Sequence, residues 1–315
     1  MATLESMPLQ GAPNQNLPAN AAFFCKAAIK GAIPNNVKRL LATFLRRFGL
    51  PPRRLRNLLA FEGQFDLKVE DKILHLTLTN GWIEQDLFWK GIEGYDRISL
   101  AIWIAAAKRA RTIVDVGANT GLYALLAKTV NPSANVFGFE PEPNFNRIFA
   151  ANCTLNHFDI HIAASALSNF TGSATFYISP EQGGNVYSSS LLKSHYYAHQ
   201  SVTPQELPVA VTTFDKFAAE SNVTEVDLVK IDAEGSDFEV LLGMQDALDK
   251  CHPDILIEIQ SDEIGERIMS VLTPEHYVYF CLDEEHGPVR VQKIARGPHL
   301  NFFVCKPATA EALHL

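Results

Sequence analysis

The sequence predicts a doubly wound α/β sheet with a basic helical extension in front of it. Three observations carry this reading. From Arg111 onward, short apolar runs that read as buried strands alternate with runs of helical spacing. One apolar run, TIVDVGANTG at Thr112–Gly121, ends in an acid and a glycine turn that opens a helix. Another, within DLVKIDAEGSDFEVLLGM at Asp227–Met244, ends in Asp232-Ala233-Glu234-Gly235 before a further helix. In an open parallel sheet both turns fall at the carboxyl edge, where ligands bind.

Composition sets the frame. The chain has 315 residues, 47% of them hydrophobic and 20% charged, enough for one large domain with an extension and a core that needs no staples. Its five cysteines, Cys25, Cys153, Cys251, Cys281 and Cys305, are scattered without a CxxC pair, which argues against a structural zinc site. The odd count and an N-terminus without a charged-then-apolar pattern place the expected compartment in the reducing cytoplasm. No apolar run approaches membrane-spanning length. The net charge of −8 is uneven: residues 1–60 carry nine Lys/Arg against the single acid Glu5, and the remainder is strongly acidic. An acidic main body argues against nucleic acid as a partner, because phosphate binding needs a basic surface.

The elements follow in order. Residues 1–20, rich in Pro, Asn, Gln and Ala, read as poorly ordered. Val37, Leu40, Leu41, Phe44, Leu45 and Phe48 recur at helical spacing among Lys38, Arg39, Arg46 and Arg47, and Gly49, Pro51 and Pro52 stop that helix. A second basic helical piece holds Arg53, Arg54 and Arg56. Residues 1–60 are thus expected to form a helical cap on the main domain or an arm contacting a partner or an anionic membrane. Residues 61–100 read as a β-hairpin, with a turn at Asp71-Lys72, and a helix over 95–109 leading into the core. The main domain, residues 101–307, then reads as strands Thr112–Val116, Asn135–Phe139, Asp159–Ala166, Ala174–Ile178, Asp227–Ile231, Asp254–Ile259, His276–Leu282 and His299–Cys305. Helices are expected at Leu122–Val130, Asn144–Asn156, Thr213–Glu220 and Asp237–Leu248, an inserted loop at 180–208, and a tail at 308–315.

The glycine turn distinguishes two kinds of ligand. A dinucleotide site wants Gly-x-Gly-x-x-Gly, but counting from Gly117 the next two glycine positions fall on Asn119 and Leu122. S-adenosylmethionine has no phosphate, and Asp115 with the Gly117–Gly121 loop supplies an acid and backbone acceptors for its amino-acid end. The second strand, VFGFEPEP, ends in Glu140, placed to accept hydrogen bonds from both ribose hydroxyls of an adenosyl ligand. Ser165, Ala166 and Leu167 at the end of the third strand would border the adenine.

The run after the fourth strand contains Ser236-x-x-Glu239, a capping box that accounts for Glu239. It does not account for Asp232 and Glu234, which serve either the electrostatics of the helix N-terminus or, as candidates, an acceptor base or a metal ligand. Glu258, embedded between Ile257 and Ile259, points either into the cleft or to solvent.

In this order and spacing, DVGANTG, FEPEP, ALSNFTG, VTTFD, VDLVKIDAEGSDFEVLLG and PDILIEI resemble the FkbM-type methyltransferases over about residues 93–260. The resemblance implies a class I methyltransferase fold, Rossmann-like, with a seven-stranded sheet whose last strand is antiparallel. It also implies S-adenosylmethionine as methyl donor and O-methylation of a small-molecule or saccharide acceptor. Asp115, Gly117, Asn119 and Gly121 map onto the donor loop, Glu140 onto the ribose acid, and Asp232 and Glu234 onto the Asp-x-Glu-Gly motif. Asp237 stands where the family often has Glu, and residues 1–60 look unlike a family core.

Methyl transfer to a hydroxyl needs alignment and removal of a proton from a weak acid. Asp232, Glu234, His195 and His199 are the candidate bases, and a magnesium ion held by Asp232 and Glu234 is an alternative means of activation. The segment Gly183–Leu192 is placed to close over the donor. Two rival functions share the fold: a nicotinamide-dependent oxidoreductase, and a nucleotide-binding scaffold without catalysis.

Overall fold

A computed structural model describes residues 33–79, 81–178, 189–194, 196 and 203–315. His195, His199, Cys25 and the 183–188 part of the expected closing loop lie outside the described residues. The chain divides into two compact units, one up to Phe61 and one from Glu62 to Leu315.

In the first unit, helix α1 (Asn35–Leu45) is continued by a 3-10 turn at Arg46–Phe48, and helix α2 (Arg53–Leu58) follows. Pro34 and Pro52 precede the two helices, where proline has no amide proton to waste and its fixed φ suits helix entry.

The second unit opens with the antiparallel hairpin β1 (Gly63–Val69) and β2 (Lys72–Leu78). Its turn is Glu70-Asp71, one residue earlier than expected, because Lys72 already pairs with Val69 and Glu70 takes the left-handed conformation. The free edge of β2 is occupied by two asparagines one helical turn apart. Asn152 Oδ1 accepts from Thr77 N at 2.9 Å, and Asn156 accepts from His75 N and donates to its carbonyl. This covers an edge that would otherwise invite strand addition. Helix α3 (Trp82–Lys90), which the sequence reading lacks, precedes α4 (Arg97–Ala107).

The central sheet is built from β3 (Thr112–Val116), β4 (Asn135–Phe139), β5 (His161–Ala163), β9 (Leu228–Ile231), β10 (Asp254–Glu258), β11 (Val278–Asp283), β12 (Gly287–Val291) and β13 (Asn301–Cys305). Their spatial order is β12-β11-β13-β10-β9-β3-β4-β5. Strands β5, β4, β3, β9 and β10 are parallel, and β13 inserts antiparallel between β10 and β11. The seven-stranded class I arrangement is present, with its last strand reversed as expected. The eighth strand, β12, returns from β11 as an edge hairpin. The inner strands are apolar on both faces, and Val114, Val116, Phe137, Phe139, Val229, Ile231, Ile255 and Ile257 are buried together, as a sheet covered by helices on both sides requires.

Four expectations are corrected. The third strand does not run from Asp159 to Ala166: β5 stops at Ala163, and β6 (Ser165–Leu167) joins a separate small sheet with β7 (Gly172–Ile178) and β8 (Gln205–Thr212), in the order β6-β8-β7. The region expected to be loop to 208 therefore ends in strand from Gln205. The expected helix Asp237–Leu248 is two helices, α8 (Asp237–Leu242) and α9 (Gln245–Cys251). The chain breaks at Gly243, where a Cβ would lie 2.0 Å from the Ser168 carbonyl oxygen. The stretch read as a tail forms helix α11 (Pro307–Leu313). Between these, α5 (Leu122–Val130), α6 (Pro143–Asn156), α7 (Phe214–Ser221) and α10 (Asp262–Val271) cover the sheet.

Candidate active site

The carboxyl ends of β3, β4, β9 and β10 border a pocket of about 420 Å³. At one end lie Asn119, Glu140, Pro141, Phe145, Ala166 and Leu167. At the other lie Tyr95, Asp96, Lys230, Asp232, Glu234 and Glu258, with Glu284, His299 and Asn301 beyond them.

The glycine loop is held from several directions. The Gly117 and Ala118 amides both donate to the Phe139 carbonyl at 3.0 Å. Gly117 has φ +71, and a Cβ there would stand 1.9 Å from the Asp232 carbonyl oxygen, so glycine lets two strand-end turns touch through their backbones. Thr120 Oγ1 donates to Glu84 Oε1 at 2.9 Å, and Asn152 Nδ2 donates to the Thr120 carbonyl. Asp115 is 1% exposed and does not line the pocket; its Oδ2 accepts from Ala124 N at 2.9 Å. This carboxylate anchors the first turn of α5 rather than facing a ligand. Gly121 also stays off the pocket wall, packed on the Phe149 ring. Ser165 does not line the pocket either, although its neighbours Ala166 and Leu167 do.

Glu140 is 5% exposed and faces the pocket. Its Oε2 accepts from Asn119 N and its Oε1 from Glu142 N, each at 2.8 Å. Burial pushes its carboxyl up to about 8 against these two backbone donors. Each oxygen keeps a lone pair directed elsewhere.

At the other end, the turn after β9 puts Glu234 and Gly235 in left-handed conformations. The expected capping box does not form. Ser236 makes no side-chain cap, and Glu239 pairs with Arg267 at 3.0 Å. The organiser is Asp237, whose Oδ1 accepts from Ala233 N at 2.7 Å and whose Oδ2 accepts from Gly235 N at 3.2 Å. The turn is so tight that a carboxylate at the first helical position reaches back to its amides before Ser236 can reach forward.

Lys230, on β9, is buried with its Nζ 3.0 Å from Asp232 Oδ2 and 4.8 Å from the Tyr123 ring centroid. Burial works against its charge, but the Asp232 and Asp115 carboxylates outweigh burial and raise its pKa. Burial, then the Asp232 charge, pushes Glu234 and Glu258 each up to about 9. Glu258 thus points into the cleft rather than to solvent, beside Asp232. Burial and the Asp232 charge thus favour the protonated form of both glutamates beside the Lys230–Asp232 ion pair. Asp96 is raised to about 6, by burial first and then by Glu284, while Asn301 Nδ2 donates to its Oδ2 at 3.2 Å.

Among the described residues no group of three or more His, Cys, Asp or Glu side chains is arranged to hold a metal ion. Asp232 Oδ2 has the Lys230 ammonium at 3.0 Å as its counter-charge. Sequence reasoning missed Lys230, Glu84, Tyr95 and Asp96. For Lys230 a signal existed: a lysine inside the apolar run LVKI must find a buried partner, and Asp232 lies two residues away on the same face of the strand. Segment 189–192 does reach the site. Ser189 and Leu191 line the pocket, and Ser190 Oγ donates to the Glu234 carbonyl at 2.7 Å.

The hexuronic acid methyltransferase AglP of Haloferax volcanii is 28% identical over 148 residues, 47% of this chain and 55% of that protein. The 31-O-demethyl-FK506 methyltransferase FkbM of Streptomyces tacrolimicus is 26% identical over 155 residues, 43% of this chain and 60% of its own length. The 2-O-methyltransferase NoeI of Sinorhizobium fredii is 28% identical over 148 residues, 44% and 59% of the two chains. The match thus spans little more than half the length of these curated relatives. The crystal structure of a methyltransferase FkbM from Methylobacillus flagellatus aligns with a TM-score of 0.41 and 14% identity, covering 85% of this chain and 59% of that one. The methyltransferase FkbM domain matches residues 115–287, more than half of the chain, and the protein belongs to the FkbM methyltransferase family.

Proposed function

We propose that the protein is an S-adenosylmethionine-dependent O-methyltransferase acting on a hydroxyl of a sugar, glycoconjugate or secondary metabolite. One observation carries the choice of donor. Lys230 is the one Lys or Arg side chain among the described residues lining the pocket, against six carboxyl groups: Asp96, Glu140, Asp232, Glu234, Glu258 and Glu284. A wall with its one ammonium already paired to Asp232 offers no cation to the pyrophosphate of a nicotinamide dinucleotide and nothing to repel a sulfonium. The relatives' names, which include a hexuronic acid and a 2-O position, support an oxygen acceptor.

In this reading Glu140 accepts from the ribose hydroxyls, while Ala166, Leu167 and Phe145 border the adenine. The bound donor supplies a methyl group already activated by positive charge. Asp232 takes the acceptor's proton as the acceptor oxygen bonds to the methyl carbon and the carbon–sulfur pair leaves with sulfur. The Lys230 ammonium at 3.0 Å favours the ionised form of Asp232 for this task, and Glu258 lies beside the pair. Glu234, protonated, donates toward the acceptor. Calorimetry with S-adenosylmethionine and with NAD, followed by transfer of labelled methyl to a panel of hydroxylated acceptors, tests the reading. Donor binding with label in an ether product supports it. Binding of NAD in place of the sulfonium donor, or no binding of either, rejects it.

A further inference from the structure

Eleven large hydrophobic side chains are exposed in the described structure, and six of them, Val37, Leu40, Leu41, Phe44, Phe48 and Leu50, fall within fourteen residues of the first unit. The rest, such as Ile73, Trp82 and Val289, are dispersed in sequence over the second unit. At 100° per residue, Val37, Leu40, Leu41, Phe44 and Phe48 share one face of α1 and the 3-10 turn that continues it. That face is exposed: Leu40 is 71% exposed, Phe44 55% and Phe48 75%, while the small Ala42 on another face of the helix is buried. Phe44 and Phe48 rest on each other with ring centroids 5.0 Å apart and form an aromatic ridge.

Cations flank the ridge and anions are missing. Residues 33–61 hold seven Lys/Arg and no Asp or Glu. A helix whose apolar stripe faces solvent between arginines has the make-up of one that lies in a bilayer interface, with its rings among the acyl chains and its cations at the headgroups. No helix of the described residues is long and apolar enough to cross a membrane, so this contact would lie on the surface. A second copy of the chain would bring the same ridge with the same seven cations around it, so like charge opposes that pairing, while an anionic surface attracts it.

We infer that α1 and the turn after it form a docking surface for an anionic lipid bilayer. The inference is independent of the methyl-transfer reading. The test is co-sedimentation of the full-length protein with vesicles of phosphatidylcholine alone, and with a quarter of the lipid replaced by phosphatidylglycerol, at low salt and in 0.5 M NaCl. The protein should pellet with the anionic vesicles only, and salt should weaken this. The double variant Phe44→Ser/Phe48→Ser should lower the partition coefficient by roughly tenfold or more, and Arg39→Glu/Arg47→Glu by a similar factor. All four side chains are exposed, so an unchanged melting temperature marks the variants as folded. Equal pelleting with neutral vesicles, no pelleting with anionic ones, or binding untouched by both variants overturns the proposal. So does light scattering that shows a dimer which the same variants dissolve, because a second copy would then be the occupant.

Discussion

Glu140 and Asp232 end two strands of the same sheet, with β3 between them, and the protein treats the two carboxylates in opposite ways. Glu140 is buried, has both oxygens fixed by backbone amides and, among the described residues, has no ion-pair partner. Asp232 remains about a third accessible and carries a buried ammonium at 3.0 Å. The first arrangement yields a stationary acceptor whose charge is costly. The second yields a reachable acid whose charge is supported. A shared strand-end position does not assign a role; the counter-groups do.

The largest effect should come from Asp232→Asn, which keeps the shape and removes the base. Turnover in a labelled-methyl assay should fall ~10²–10⁴-fold while the donor Kd stays within about threefold. Turnover at the wild-type level would move the base elsewhere and dissolve the contrast. Glu140→Ala should do the reverse, weakening the donor Kd by about 10–100-fold in calorimetry, because charge-assisted hydrogen bonds are lost and the Asn119 and Glu142 amides are left unpaired. An unchanged Kd would free Glu140 from the donor.

Lys230→Met would sharpen the comparison by making Asp232 resemble Glu140. The acidic limb of the kcat–pH profile should then move up by roughly one to two units, since the counter-charge that favours the ionised base is gone. A profile that falls in height without moving would make Lys230 a packing residue. The smallest effect is on the native protein. Glu140, raised to about 8 by burial, holds its proton below that pH and must release it to accept two hydroxyls. Donor affinity should therefore rise as pH increases through 8, by at most about tenfold per unit, and level off above it. The rise should be absent in Glu140→Gln; if that variant keeps it, another group is responsible.

The sheet was legible because its strands are apolar at almost every position and end abruptly. TIVDV, NVFGF and DILIE need no partner to be recognised, since burial on both faces removes alternation and leaves a continuous run. The elements that sequence reasoning lost are those whose identity comes from neighbours. GPVRV of β12 is a half-exposed edge that becomes a strand only beside β11. The run from Ala163 to Leu167 looks continuous, yet the chain leaves one sheet and joins another within it, because β8 is there to pair with Ser165–Leu167. The capping box failed for a similar reason: Ser236-x-x-Glu239 fits the pattern, but Asp237 takes the turn amides and Arg267, from α10, takes Glu239.

By itself the sequence determined the order of strands and helices, the glycine bend after Val116 and the acids that end β4 and β9, because backbone propensity and hydrophobic period are local properties. Only the tertiary structure decided which of those acids face the pocket. Asp115 turned to an amide of the helix that follows its strand, Glu258 turned inward, and Lys230 became the counter-charge of Asp232. A carboxylate's orientation and charge are set by the nearest donors and cations. For Glu140 and the Thr120 loop, such groups come from as far along the chain as Asn119 and Glu84.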